Sequence, residues 1–575
     1  MASGFYSELA GELKKGMLGK DDATKVKIGL ARKYGLSRIP NDVEVFLNVP
    51  EQDAKALKKQ LSIKPVRTLS GIASVSIMTK PYGCPHGRCT FCPGGPKSAF
   101  GDVPQSYTGR EPATMRAIRA GFDPYLQVFS RLEQYAVTGQ SFDKVELIVQ
   151  GGTFPWMPSD YKEEFVAYAY KAMNDFSSEF FGNSNELNLQ HYKGFFEMPG
   201  DFNDEGRVTG VTRKILALKG SRGYDGKNET ASGFLLRQQK INEKSRIRCI
   251  GLTIETKPDW GKAEHGNHML GLGCTRVELG IESVYDRELK LTNRGHTIKD
   301  TKESLRQLKD LGLKINAHYM LGLPGSTRKS DLGGLKELFS NPDYRPDMLK
   351  IYPCLVIKGT PLYAQWEKKQ FTPITTAEAA EIISDFKRFV PKWCRIMRVN
   401  RDIPTYVTSA GIDRTNLRQY VQQLQQKKGI TCNCIRCREI GRKKSSGKSE
   451  ITVTEYEGSK GKEFFIAAED PVNDALIGFC RLRFPSQQLR GEITPATAII
   501  RELHVYASAV AIGEEPGEGT KMQHRGFGKR LMAKAEEIAR KGGMGRMLVI
   551  SGVGTREYYK KLGYDYEGPY MGKKL

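Results

Sequence analysis

Ile72-Ala-Ser-Val-Ser-Ile-Met78 leads through Thr79-Lys-Pro-Tyr-Gly83 into Cys84-Pro-His-Gly-Arg-Cys89-Thr-Phe-Cys92. The first stretch is a short β-branched run, which predicts a strand. Three cysteines then fall on the loop that leaves it. Three thiolates on one loop can ligate three irons of a [4Fe–4S] cluster and leave the fourth iron open to an exogenous ligand. A zinc site with His86 as fourth ligand, or plain reduced thiols, would use the same residues.

Downstream of this loop the pattern repeats. Lys144–Val149, Cys249–Ile254, Arg276–Gly280, Lys314–Met320 and Met348–Tyr352 read as further strands, with amphipathic helices such as Ile298–Leu311 between several of them. Strands alternating with helices predict a parallel α/β sheet, here a partial (β/α)6 barrel. In such folds the chemistry gathers at the C-terminal ends of the strands. The second strand ends in Gln150-Gly151-Gly152-Thr153, whose glycines let a ligand approach the backbone, although a plain turn would look the same. Glu278-Leu-Gly-Ile-Glu-Ser283 and Leu321-Gly-Leu-Pro-Gly325 also lie at strand ends.

The C-terminal quarter carries a different motif. Gln523-His524-Arg525-Gly526-Phe527-Gly528 precedes an amphipathic helix, Lys529–Lys541, with strands expected at Ile499–Val505 and Met547–Ser551. Glycines at a helix N-terminus offer N–H groups and a positive dipole end to a pyrophosphate. Tyr558 and Tyr559 follow, either able to act as an acid or simply to pack. Glu502 can be read as a base or as an ordinary strand carboxylate.

Between these halves lies Cys432-Asn-Cys434-Ile-Arg-Cys437, three thiols within six residues. Structural zinc is the favoured reading, against reduced thiols or a second iron–sulfur cluster. Zinc prefers four ligands, and Cys394, Cys354 or a His would have to complete the set. Lys427, Lys428, Arg436, Arg438 and Arg442 surround it, a charge pattern suited to a phosphate backbone.

Charge points the same way. The 575 residues carry a net charge of +24, which suggests a polyanionic partner. The N-terminal stretch is basic and helical, with Lys25–Lys33 its most compact basic helix. No apolar run reaches the roughly 20 residues of a membrane span, and no signal sequence is evident, so a cytoplasmic protein is expected. Clustered thiols there favour metal over disulfides. The expected divisions are residues 1–70 (basic, helical), 71–385 (barrel), 386–450 (basic linker with the cysteine triad) and 451–575 (a compact α/β unit).

These motifs resemble known families. The cysteine loop and the GG motif are similar to those of the radical S-adenosylmethionine superfamily, although the spacing here is Cx4CxxC rather than the commoner Cx3CxxC. The C-terminal motif resembles the Gcn5-related N-acetyltransferases. The fusion, from about Gly35 onward, resembles the catalytic subunit of Elongator and its archaeal and bacterial homologues. Gly35-Leu-Ser-Arg-Ile-Pro-Asn41, Lys64-Pro-Val-Arg-Thr-Leu-Ser-Gly71, Ser106-Tyr-Thr-Gly-Arg-Glu-Pro112, Thr253-Ile-Glu-Thr-Lys-Pro-Asp259, Asn293-Arg-Gly-His-Thr297 and Arg401-Asp-Ile-Pro404 carry that match.

The resemblance implies a tRNA enzyme that converts the wobble uridine to 5-carboxymethyluridine, with the anticodon stem-loop as partner and further subunits or a second copy as associates. It implies a [4Fe–4S] cluster on Cys84, Cys89 and Cys92, and S-adenosylmethionine at Gly151, Gly152 and Thr153. Acetyl-CoA would lie along Glu502, Leu503, His504 and Val505 and at Gln523 to Gly528, with Tyr558 or Tyr559 protonating the departing thiolate. Cleavage of S-adenosylmethionine would then start hydrogen abstraction from the acetyl methyl group, addition to uracil and thioester hydrolysis. A protein lysine acetyltransferase with a merely structural cluster, a non-enzymatic RNA scaffold and a methylthiolating enzyme are the competing readings.

Overall fold

A computed structural model describes residues 2–15, 20–49, 53, 57, 71–182, 186–200, 204–440, 443, 446–506 and 526–575. At the N-terminus α1 (Ala2–Lys15), α2 (Lys20–Lys33) and α3 (Asp42–Asn48) pack together. The basic face of α2 is largely neutralised from within. Lys27 pairs with Asp42 at 2.6 Å and Lys33 with Glu8 at 2.6 Å.

Seven strands then form one sheet: β1 (Ala73–Met78), β2 (Lys144–Gln150), β3 (Arg248–Thr256), β4 (Cys274–Glu282), β5 (Lys314–Leu321), β6 (Met348–Pro353) and β7 (Arg395–Arg398). They pair in chain order and all in parallel. Six of them match the expected strands. The seventh lies in the stretch read as basic linker, where Arg395 and Arg398 hide the apolar alternation that marks a strand. Helices cover the outer face, among them α4 (Ser159–Phe181) and the capped α5 (Ile298–Asp310).

Alternation along β2 separates the two faces of this half-barrel. Val145, Leu147 and Val149 are fully buried against the helices, while Lys144, Glu146, Ile148 and Gln150 retain solvent access on the concave side. Parallel strands are usually apolar on both faces. Here the concave face is polar, which marks a working surface rather than a core.

After α6 (Leu417–Lys427), a second sheet forms in the order β8 (Glu450–Gly458), β9 (Gly461–Asp470), β10 (Ala475–Phe484), β11 (Thr497–Val505), β12 (Arg546–Val549), β14 (Tyr570–Lys574), β13 (Asp565–Glu567). Only β11 and β12 pair in parallel, and only over Thr497–Ile500. Beyond that point β11 continues along β10 and the sheet splits. Helix α7 (Phe527–Lys541) packs on one face, and α8 (Arg556–Lys560) follows β12.

The other face of this sheet sits on the N-terminal ends of the half-barrel strands. Buried ion pairs cross the junction. Arg501 donates to Asp347 at 2.9 Å and to the Leu313 carbonyl at 2.8 Å, while Arg483 reaches Asp310 at 2.8 Å. Glycine makes the approach close enough. A Cβ on Gly552 would lie 2.1 Å from the Ile250 carbonyl oxygen, and one on Gly554 would lie 2.4 Å from Arg248 Cβ.

Candidate active site

The loop after β1 brings Cys84, Cys89 and Cys92 to the mouth of the half-barrel. Each thiol has a different neighbour. Cys84 Sγ lies 3.4 Å from Thr153 Oγ1, and Cys92 Sγ accepts from the Ser106 N–H at 3.3 Å. Cys89 Sγ meets His86 Nε2 at 3.2 Å and Arg294 Nη1 at 3.5 Å. The three sulfurs do not all fall within 4.8 Å of one another. A single zinc ion needs thiolates about 3.8 Å apart, so the spread fits a cluster better than an ion.

Among the described residues, His86 belongs to no set of three candidate ligand atoms within 4.8 Å of one another. Its other nitrogen, Nδ1, faces Lys257 Nζ at 2.9 Å. Burial, then Lys257 and Arg294, lower its pKa to about 3, so the ring is neutral. Burial and the neighbouring Cys89 push the Cys92 thiol up to about 11. Deprotonating such a thiol requires a bound cation.

The glycine pair at the end of β2 is required by its surroundings. Gly151 and Gly152 have φ of 137° and 93°. A Cβ on Gly151 would stand 2.1 Å from Thr79 Oγ1, and one on Gly152 would stand 2.8 Å from Gln105 Cβ. Thr79 and Gln105 pack directly on this glycine backbone, and Gly152 lies beside Cys84 on the wall of the site.

This wall bounds a cavity of about 120 Å³, open to solvent. Glu278 forms its floor, accepting from His318 Nε2 at 2.7 Å, Lys350 Nζ at 2.7 Å and Asn316 Nδ2 at 2.9 Å. Burial alone would raise its pKa, but Lys350 and His318 outweigh it and hold the carboxylate well below its usual range. Arg294, anchored by the Gly280 carbonyl at 2.7 Å and Glu282 at 3.2 Å, carries positive charge beside Cys89. Sequence reasoning assigned no role to Arg294, Lys257, His318 or Lys350. Arg294 sits 205 residues from Cys89, and no local pattern announces such a contact.

In the second sheet, Gly526 adopts left-handed backbone with φ of 71° and caps α7. Gln523, His524 and Arg525 lie outside the described residues. Phe527 is buried beneath the helix. The two tyrosines of α8 separate clearly. Tyr559 is 6% exposed and belongs to the core under α7, whereas Tyr558 is 38% exposed. The Tyr558 hydroxyl lies 2.7 Å from where a Cβ on Gly528 would stand. It therefore faces the glycine turn.

A bulge at Arg501 reassigns the faces of β11. Ile500, Leu503 and Val505 pack towards α7. Glu502 instead accepts from Arg481 Nε at 2.8 Å, and His504 stacks on Phe479 with centroids 5.8 Å apart. Glu502 is thus the buried partner of an arginine on the half-barrel side. Of its two readings, the ordinary strand carboxylate fits this pairing, because a carboxylate so held is a poor proton acceptor.

The second triad is compact. The Cys432, Cys434 and Cys437 sulfurs all lie within 4.8 Å of one another, and Lys387 Nζ is 3.9 Å from Cys437 Sγ. Cys354 is remote, packed with Cys89, Cys92 and Met320, and is excluded as a fourth ligand. Cys394 is adjacent through its carbonyl, which accepts from the Ile435 N–H at 2.9 Å, but its sulfur does not join the group. The surrounding charge is partly spent. Arg438 is buried against Glu469 at 2.6 Å and Asp474 at 3.0 Å, and Lys428 pairs with Asp385 at 2.9 Å. Neither presents a free cation to phosphate. Arg442 lies outside the described residues.

The ELP3 N-terminal domain matches residues 4–69, the Radical SAM superfamily 222–332, the Radical SAM C-terminal domain 346–426 and the acetyltransferase (GNAT) family 437–564. A tRNA uridine(34) acetyltransferase of Methanocaldococcus infernus is 42% identical over 98% of this chain and 97% of its own. Elongator complex protein 3 of Homo sapiens is 40% identical over 97% of this chain and 94% of its own. The solved archaeal Elp3 of Methanocaldococcus infernus, lacking residues 1–46, superposes with a TM-score of 0.70 at 37% identity, covering 88% of this chain and 100% of that one. With the radical half-barrel and the acetyltransferase sheet in one chain, and this identity over nearly its whole length, the chain belongs to the Elp3 family.

Proposed function

We propose that this chain is a tRNA-modifying acyltransferase that builds 5-carboxymethyluridine at the wobble position from acetyl-CoA. The observation that carries the reading is the cavity lined by Cys84, Gly152, Thr153 and the buried Arg294, which reaches on to Cys89, on a sheet docked to an acetyltransferase fold. Its relatives' names, tRNA uridine(34) acetyltransferase and Elongator complex protein 3, supply the substrate.

A [4Fe–4S] cluster with S-adenosylmethionine supplies one-electron carbon–hydrogen chemistry, and acetyl-CoA supplies the two-carbon unit. Cys84, Cys89 and Cys92 hold the iron. Gly151, Gly152 and Thr153 shape the wall that receives S-adenosylmethionine. Arg294 stabilises thiolate charge at Cys89 and is itself fixed by Glu282. The N–H groups at Gly526 to Gly528 bind pyrophosphate. Tyr558, rather than Tyr559, delivers a proton from its hydroxyl to the departing thiolate, since it faces the glycine turn. Cys432, Cys434 and Cys437 hold a structural zinc ion. Basic surface beyond the paired residues receives the anticodon stem-loop, where an unstacked base is accessible. Among the described residues no helix is long and apolar enough to cross a membrane.

The test is anaerobic reconstitution with iron and sulfide, followed by incubation with tRNA, acetyl-CoA, S-adenosylmethionine and a reductant. Mass spectrometry of the nucleosides should find 5-carboxymethyluridine and 5′-deoxyadenosine together. Acetylated protein with neither product would establish the lysine acetyltransferase reading instead.

A further inference from the structure

The three thiols of the cysteine loop are not equally supplied with donors. Cys84 meets a neutral hydroxyl, that of Thr153, and Cys92 a backbone N–H, that of Ser106. Cys89, 4% exposed, meets His86 Nε2 at 3.2 Å. His86 holds no iron in the proposed function, so its ring has no task there.

The far side of the ring fixes what Nε2 does. Lys257 Nζ lies 2.9 Å from Nδ1. An ammonium carries donors and no acceptor, so Nδ1 must accept. The ring proton then stands on Nε2, aimed at Cys89 Sγ. The surroundings hold this arrangement. Lys257 is buried at the end of β3 and also donates to Asp259 at 3.2 Å. Gly295, with φ of 77°, backs the ring, and a Cβ there would stand 2.4 Å from His86 Cβ. Three segments far apart in the chain thus build one contact to one sulfur.

We infer that His86 and Lys257 are positioning residues that act through Cys89. The lysine fixes the ring, the ring donates to the sulfur, and together they raise the reduction potential of the cluster. On reduction one electron arrives from an external reductant, no bond forms or breaks, and negative charge grows on the thiolate sulfurs. Donors to those sulfurs favour the reduced form. Exclusion of water strengthens their effect. This inference rests on the cluster half of the proposed function alone.

The test uses the full chain, reconstituted anaerobically with iron and sulfide, without S-adenosylmethionine, acetyl-CoA or tRNA. It is poised at a series of potentials, and the reduced cluster is counted by electron paramagnetic resonance. His86→Leu should lower the ratio of reduced to oxidised cluster at a fixed potential about tenfold, a shift of about 59 mV for one electron. His86→Gln, whose amide can donate, should recover part of that loss. Lys257→Met leaves Cys89 and its histidine in place and should shift the ratio the same way by less. It reads the potential even where His86→Leu takes up iron poorly. A merely structural His86 would change how much cluster forms and leave its potential where it was. Potentials equal to that of the unmodified chain in His86→Leu, or in Lys257→Met where the first holds no iron, overturn this inference alone. An unmodified chain that takes up no cluster overturns the cluster reading and this inference together.

Discussion

Cys84, Cys89 and Cys92 hold their sulfurs apart at the mouth of a solvent-open cavity, whereas Cys432, Cys434 and Cys437 draw theirs within 4.8 Å in a mostly buried knot. Both sets are three thiols on a short loop. Spread thiols beside an arginine and a glycine wall leave room for a cluster and a substrate. Compact thiols with a lysine alongside fit a closed ion site, the arrangement that stabilises rather than reacts. Thiol number alone therefore says little; the spacing and what stands beside the thiols decide the chemistry.

The sharpest way to break this contrast is to remove one sulfur from each set. Cys89→Ser should abolish cluster absorbance and all modified uridine while the fold melts normally. Cys434→Ser should leave the cluster intact and lower the melting temperature by several degrees. A lost cluster in the second variant would erase the distinction.

The next effect concerns the junction that keeps the two ends of the molecule aligned. Asp347→Asn removes the charge of a buried carboxylate shared by Arg501 and Arg481, which keep Glu463 and Glu502 as partners, and should cost about 3 kcal/mol in denaturant unfolding. The same group predicts a pH dependence. Arg501 and Arg481 outweigh burial and hold the Asp347 carboxyl below its ordinary value of 3.8. Its stabilisation is complete above about pH 5 and is lost as pH falls below 4 towards the folded-state value. Unfolding at pH 3 should therefore separate the unmodified chain from Asp347→Asn less than unfolding at pH 7.

On the acetyltransferase side, Tyr558→Phe should slow thioester turnover about a hundredfold, and Tyr559→Phe should alter stability more than rate. Equal losses in both would return the choice to where the sequence left it. The smallest effect belongs to the glycine wall. Gly152→Ala forces a Cβ against Gln105 in left-handed backbone, a strain of about 1–3 kcal/mol. S-adenosylmethionine affinity should drop about tenfold or more, with iron content unchanged.

Much of the fold was legible because its signals are local. Six half-barrel strands, α5 and α7 follow from periodicity, and the cysteine loop and glycine turns announce themselves by spacing. The seventh strand escaped notice because arginines that belong to the junction occupy its polar positions. The sequence left Glu502 open between a base and an ordinary carboxylate for the same kind of reason: a bulge at Arg501 turns it towards Arg481, and no strand sequence displays its own bulge. Arg438, read as surface charge, is buried by Glu469 and Asp474 from a neighbouring sheet.

The sequence by itself determined which groups are present: two thiol triads, a glycine pair, a glycine-capped helix and adjacent tyrosines. Tertiary structure decided what each of them faces. It put Arg294 against Cys89 and Tyr558 rather than Tyr559 at the glycine turn, and it set the acetyltransferase sheet on the floor of the half-barrel. The physical reason is range. Helix and strand preferences act over a few residues, whereas the direction of a buried charge is fixed by partners hundreds of residues away that must be paired once water is excluded.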